Sequence, residues 1–379
     1  MASALNSTQP AGLQPEIQAA DYLRVGGDQI EAARNAGITT ALTAPRTGIL
    51  IGQSALINLA GNTPQEMTVR SPVALHIGFT SLRGTYPGSL MGVFSAIRQM
   101  FLDAQRYQEA KKVYARSPRG VRRPEVDKSL EALLPVLNRE MPVVFYADRE
   151  REIERVIALA QEFKLRAIIA GGEEAWKVAD RLREAQISVL LSLNFPRRTT
   201  TASPEADPEP LRILRARVEA PKCAGRLVTA RVKLAFQSGG LTAIDEFRLN
   251  AIKAVENGLA SDEAIKALTI GAAEILSAAD RLGSLETGKI ANLTITRGDL
   301  LDRTSRIAYV FIDGRQVDLR PAAGPGPGAA SPASSPTPAA EPTPPQATAT
   351  VTSGKLEPRL ILRMPMQIQL SDLPESKWI

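Results

Sequence analysis

Residues 142–193 read PVVFYADREREIERVIALAQEFKLRAIIAGGEEAWKVADRLREAQISVLLSL. Three short runs in this stretch are apolar almost throughout: 142–146 (PVVFY), 165–170 (LRAIIA) and 187–193 (ISVLLSL). Their starts lie 23 and 22 residues apart. The segments between them, 150–163 and 173–185, have helical phase, with Ile153, Val156, Ile157 and Ala160 on one face of the first. This is the repeat length of successive β/α units. Strands that are apolar on both sides belong in a parallel sheet covered on both faces. A doubly wound sheet and a barrel meet that requirement equally, and periodicity does not choose between them.

The same alternation extends outward. A β-branched run at 38–43 follows the helical segment 29–35, and residues 90–107 have helical phase. His76 sits in PVALHIGF, a strand-like run. After the third strand, NFPRRTTTASPEADPEP opens a polar, proline-rich excursion over 194–223. Long loops at the carboxyl ends of strands commonly carry or cover a site. A further strand is expected at 232–236, then a tight turn at Gly239-Gly240 and a helix over 242–257. The glycine pair lacks the Lys and Ser/Thr of a phosphate-binding loop.

Composition narrows the function classes. The chain of 379 residues is 44% hydrophobic, enough for a sizeable core. Net charge is +6, but the basic residues are dispersed and no aromatics interleave the clusters at 116–123 and 197–198, so no nucleic-acid surface is expected. The lone Cys223 rules out an internal disulfide and a Cys-x-x-Cys centre, and it reads as a structural thiol. The N-terminus MASALNSTQPAGLQPEIQAADYL lacks a basic region followed by an apolar run, and no stretch approaches the ~20 apolar residues of a membrane span. The chain reads as soluble, with no signal peptide and no membrane partner, and cytoplasmic by default.

A boundary falls near Pro321. Residues 321–346 contain nine prolines among Ala, Gly, Ser and Thr, so 321–351 is expected to be a disordered linker. The remaining tail, 352–379, is too short for a domain. Its alternation of Met364, Met366, Ile368 and Leu370 would suit one strand lent to a sheet elsewhere.

The segment 261–317 carries the family signal. Ser261 reads as a helix cap with Asp262 and Glu263 in the first turn, and the sequence continues ALTIGAAEILSAADRLGSLETGKIANLTITRGDL. Gly271–Leu276, then Gly283, Ser284, Leu285, Glu286, Gly288, Lys289, Ala291 and Leu293, resemble the C-terminal signature of the amidohydrolase superfamily, in particular its imidazolonepropionase-like branch. Asn292 stands where that family usually has Asp. Residues 307–317 (IAYVFIDGRQV) resemble its closing strand pair, with an Asp313-Gly314 hairpin. The resemblance reaches back to about Asp28, where 29–44 is similar to the family's helix and second barrel strand.

That resemblance implies an α/β fold: a partial (β/α)8 TIM-like barrel over residues 28–320, with remnants of a composite β-sandwich at 290–317. Residues 1–27 form a separate N-terminal segment without histidine, so the copy reads as N-terminally incomplete. The first strand and its His-x-His pair would then come from a partner chain or domain.

By family, the activity is hydrolysis of non-peptide carbon–nitrogen bonds by a water activated on zinc or another divalent metal. That chemistry needs imidazole and carboxylate ligands. Here Tyr146 stands where the fifth strand's histidine is expected, Ala170 where the sixth's is, and Ser238 where the eighth strand's Asp is. The chain contains one histidine. No metal is therefore expected in this chain, and the copy reads as degenerate. Tyr146, Asp148, Gln237, Ser238 and His76 are expected to form a polar pocket at the mouth, open to a small-molecule ligand. The alternative to a hydrolase is a non-catalytic binding module, one half of a tandem protein.

Overall fold

The computed structural model describes residues 12–82, 84, 86–198 and 209–319. The first strands are β1 (Thr40–Thr43), β2 (Leu50–Gln53), β3 (Ala55–Asn58), β4 (Thr68–Arg70) and β5 (Leu75–Ile77). The middle of the chain supplies β6 (Val143–Ala147), β7 (Ala167–Gly171), β8 (Ser188–Ser192) and β9 (Leu234–Gln237). The last three are β10 (Leu293–Arg297), β11 (Arg306–Ile312) and β12 (Arg315–Val317). Helices α1 (Asp28–Asn35), α2 (Pro64–Met67), α3 (Leu90–Arg116), α4 (Lys128–Leu137), α5 (Glu150–Phe163) and α6 (Ala179–Glu184) precede the polar excursion. Helices α7 (Leu211–Glu219), α8 (Cys223–Thr229), α9 (Glu246–Glu256), α10 (Ser261–Leu268) and α11 (Ile270–Ile275) follow.

The three apolar runs that open the sequence reading become β6, β7 and β8, adjacent and parallel, in a six-stranded sheet of order β2-β5-β6-β7-β8-β9. Between them, α5 starts on a reciprocal cap in which Glu152 Oε2 accepts from the Asp148 and Arg149 amides. It ends at Lys164, left-handed at φ 54°. One face of the sheet, with Val143, Phe145, Ile169, Val189, Leu191 and Phe236, packs under Val93, Ile97 and Phe101 of α3 and Ile153, Val156 and Ile157 of α5. The other face, with Val144, Ile168, Ala170, Leu190 and Ala235, packs against Ala272, Ala273 and Ile275 of α11 and against Leu42 and Leu56.

The expected barrel is not closed. The sheet ends at β2 and β9. Helices α10 and α11 lie along β9, and Gly271 permits the approach, since a Cβ there would stand 3.2 Å from Leu234 O. At the other edge Leu13 and Gln18 bridge to Leu50 and Gln53 of β2. Both edges are covered by other parts of the chain instead of by closing strands. A second correction concerns residues 38–43, which resemble a second barrel strand. Their β1 joins β3 and β4 in a separate antiparallel sheet. The pairing is local, because β3 follows β1 closely enough to return alongside it. Ser261 is likewise the first helical residue, with Ala260 at the cap position.

The β1-β3-β4 sheet shares a core with the β10-β11-β12 sheet and α1. Ile30, Ala33, Ala41, Ala55 and Ile57 meet Val310, Ile312 and Val317 there. Asp313 and Gly314 turn β11 into β12 with φ 52° and 74°, the left-handed pair that this dipeptide tolerates. Buried Asn292 joins the two sheets. Its Nδ2 donates to Thr40 Oγ1 and to Asn58 Oδ1, each at 2.7 Å, and its Oδ1 accepts from the Asp313 amide at 2.8 Å. The linker expected at 321–351 and the tail at 352–379 lie outside the described residues.

Removing Asn292 strands several buried polar groups at once. Asn292→Ala should lower the unfolding free energy by about 3 kcal/mol in urea titration. Asn292→Asp should cost less, because a carboxylate still accepts from Asp313 N and Thr40 Oγ1, and Asn58 can turn its amide to donate. Equal losses for the two variants would show that packing, not hydrogen bonding, makes the joint.

Candidate functional site

Strand alternation sorts the functional side chains. His76 is paired with Val144, and Tyr146 with Ala170, whose row continues through Leu190 to Ala235. One step further toward the carboxyl ends, Ser192 is paired with Gln237. All of these belong to the face that packs on α11 and the small sheet, with Tyr146, Ser192 and Gln237 toward the carboxyl ends of their strands.

His76 is fully buried and Tyr146 half-buried, and Tyr146 Oη lies 2.6 Å from His76 Nδ1. The direction of that hydrogen bond follows the imidazole tautomer. Two residues beyond Tyr146 stands Asp148. The residue is open to solvent on one side, yet protein crowds its carboxyl group. That loss of hydration, with the nearby carboxylates of Glu173 and then Glu152, pushes its pKa from 3.8 up to about 6. Glu173 is raised in turn, by its own partial burial and by Glu174. Gly171 makes the arrangement feasible: its φ is +111°, and a Cβ would stand 2.2 Å from Asp148 Oδ1.

Gln237 and Ser238 are buried at the end of β9, and Gln237 Oε1 has no hydrogen-bond partner among the described residues. Leu241 N closes a turn onto Ser238 O, with Gly239 and Gly240 at φ +61° and +82°. Ser192 and Asn194, which the sequence reading passed over, sit beside them. Asn194 N donates to Ser192 Oγ at 3.2 Å, and its Nδ2 to Gly239 O at 3.3 Å. The available signal was two polar residues at the end of a buried apolar run.

Of the five expected pocket residues, His76 lies mid-strand beside Val144, Tyr146 and Gln237 lie near the carboxyl ends of β6 and β9, and Asp148 and Ser238 lie just past those ends; a hydrogen bond brings His76 and Tyr146 together. Strands β7 and β8 separate Tyr146 from Gln237, about 14 Å along the sheet at ordinary strand spacing. Cys223 is fully buried, its Sγ 3.6 Å from Gly172 O, and burial pushes the thiol up to about 12. It is no nucleophile. Among the described residues no three His, Cys, Asp or Glu side chains converge to hold a metal ion, and no helix is long and apolar enough to cross a membrane. The row Tyr146, Ala170, Leu190, Ala235 offers one weak oxygen donor beside three hydrocarbon side chains. These residues do not fit an imidazole–carboxylate metal centre.

Residues 226–317 match the amidohydrolase family. The fold overlays an amidohydrolase from Thermotoga maritima with 25% identity and a TM-score of 0.71, covering 83% of this chain and 80% of that one. An adenosine deaminase from Xanthomonas campestris, solved with bound zinc, is 17% identical over 64% of this chain and 60% of its own. The TM-score of that overlay is 0.36. No curated protein matches the chain. Residues 226–317 are thus similar to the amidohydrolase family, and most of the chain is similar in fold to the Thermotoga structure, a mixed α/β fold with a parallel sheet.

The raised pKa of Asp148 has a definite sign. Its protonated form favours the fold, so this contribution is complete below pH 3.8 and is lost as pH rises through about 6. Relative to Asp148→Asn, the natural protein should lose stability across that interval and show a constant difference above it. Thermal melts from pH 3 to 8 read this out directly. A difference independent of pH would mean that the carboxyl titrates as in water.

Proposed function

We propose that this chain is a member of the imidazolonepropionase-like branch of the amidohydrolase superfamily that binds a small polar ligand at the carboxyl edge of its sheet without a catalytic metal. One observation carries the reading: the row that faces the interior is Tyr146, Ala170, Leu190 and Ala235, with Tyr146 bonded to the buried His76. Tyr146 and Asp148 then supply hydroxyl and carboxyl groups to a ligand, beside the hydrocarbon side chains of the same row. The two small sheets that share a core with α1 are, on this reading, the counterpart of the family's composite sandwich.

A second reading has a specific support, the family match over residues 226–317. In it the chain hydrolyses non-peptide carbon–nitrogen bonds, and the metal ligands come from a partner chain. The activated water is what such a metal would supply.

Metal analysis separates the two. Purified protein should carry well under one equivalent of zinc, manganese or iron, and added metal should leave the melting temperature unchanged. A metal present at about 100 times its dissociation constant would stabilise the fold by about 2.7 kcal/mol, which a thermal melt would reveal. Stoichiometric metal that disappears on His76→Ala or Asp148→Asn would overturn the metal-free reading.

A further inference from the structure

We propose that the solvent-facing side of the β10-β11-β12 sheet is a docking surface for residues 360–370 of this same chain. Leu293 is paired across the ladder with Phe311, and Ile295 with Tyr309. Alternation sends these four side chains away from Val310 and Ile312, which lie in the core shared with α1. Tyr309 is 47% exposed, the other three are half-buried, and none of the four belongs to the cores of the described structure. An antiparallel sheet with one face in water ordinarily turns polar residues outward. Here Gln316 does so on β12, while β10 and β11 present two aliphatic and two aromatic side chains in adjacent cross-strand pairs. Such a contiguous patch marks a surface that something covers.

The occupant follows from where the chain goes next. The described structure ends at Leu319, two residues past β12 of this very sheet, and residues 320–379 follow. Among them 359–370 read RLILRMPMQIQL. Leu360, Leu362, Met364, Met366, Ile368 and Leu370 fall at alternate positions, with Ile361, Arg363, Pro365, Gln367 and Gln369 between them. In an extended chain that alternation sets six apolar side chains on one side, the complement of a flat apolar sheet face. The sequence of residues 320–359 is rich in proline, and a chain of that length at ~3.1 Å per residue would reach back to the sheet with length to spare. A tether of this kind holds its end at roughly millimolar effective concentration. A second copy of the protein at micromolar concentration would compete at a disadvantage of about a thousandfold.

Cross-linking in the full chain tests the placement. In a Cys223→Ala background, Tyr309→Cys combined with Met366→Cys should form an intramolecular disulfide on mild oxidation. It should form several-fold faster than the same Tyr309→Cys paired with Gln367→Cys, whose side chain has the opposite phase. Removing residues 355–379 from the natural chain should speed amide exchange across residues 293–311. Equal disulfide rates for the two pairs, unchanged exchange after truncation, or covalent dimers from Tyr309→Cys alone would each overturn the proposal, the last in favour of a second copy.

Discussion

Val144, Ile168, Leu190 and Ala235 have to be hidden from water on the side of the sheet that the long helices do not reach. A sheet whose strands are apolar in both phases has no face to spare for solvent, and each fully exposed aliphatic side chain would cost about 1.5–3 kcal/mol. The chain meets this demand with two unrelated pieces. The short helix α11 supplies Ala272, Ala273 and Ile275, and the small antiparallel sheet supplies Leu42 and Leu56. The remaining architecture follows from bringing those pieces in. Gly271 removes a Cβ so that α11 can reach β9, and Asn292 ties the small sheet to the C-terminal hairpin.

The same burial sets the chemistry at the carboxyl edge. Hydration is scarce where the strands end against covering segments, so the Asp148 carboxyl holds its proton to a higher pH than in water. Nδ1 of His76 meets a neighbouring phenol instead of solvent. Gly171 and Gly239 are the steric allowances: a methyl group on either would strike Asp148 Oδ1 or Ser192 Oγ. In the function proposed above, polar side chains at this edge would orient a ligand by hydrogen bonds beside a hydrocarbon surface. The edge is poorly suited to gathering the charge of a divalent ion, because the strand positions beside Tyr146 carry Ala170, Leu190 and Ala235.

Much of this was readable in one dimension. Residues 142–146, 165–170 and 187–193 announce three buried parallel strands by composition, and Asp313-Gly314 announces its hairpin by the backbone angles that those two residues accept. That the chain has a single histidine was likewise readable from the sequence. The contact between His76 and Tyr146 was not, since 70 residues separate them and the register of β5 against β6 sets their meeting. Ser192 and Asn194 escaped notice because a polar residue at a strand end looks the same whether it lines a rim or begins a loop.

What the sequence by itself determined is local: which segments are strands or helices, where the chain turns, and which residue types are present to do chemistry. Those properties follow from period, propensity and side-chain identity over a few residues. What only the tertiary structure decided is how the sheet ends. Residues 38–43 have the composition of a barrel strand and pair instead with β3, and the sheet stops at β2 and β9 because residues 12–18 and helices α10 and α11 cover those edges. Both outcomes rest on which distant surfaces compete for the same strand edge. No local pattern encodes that competition.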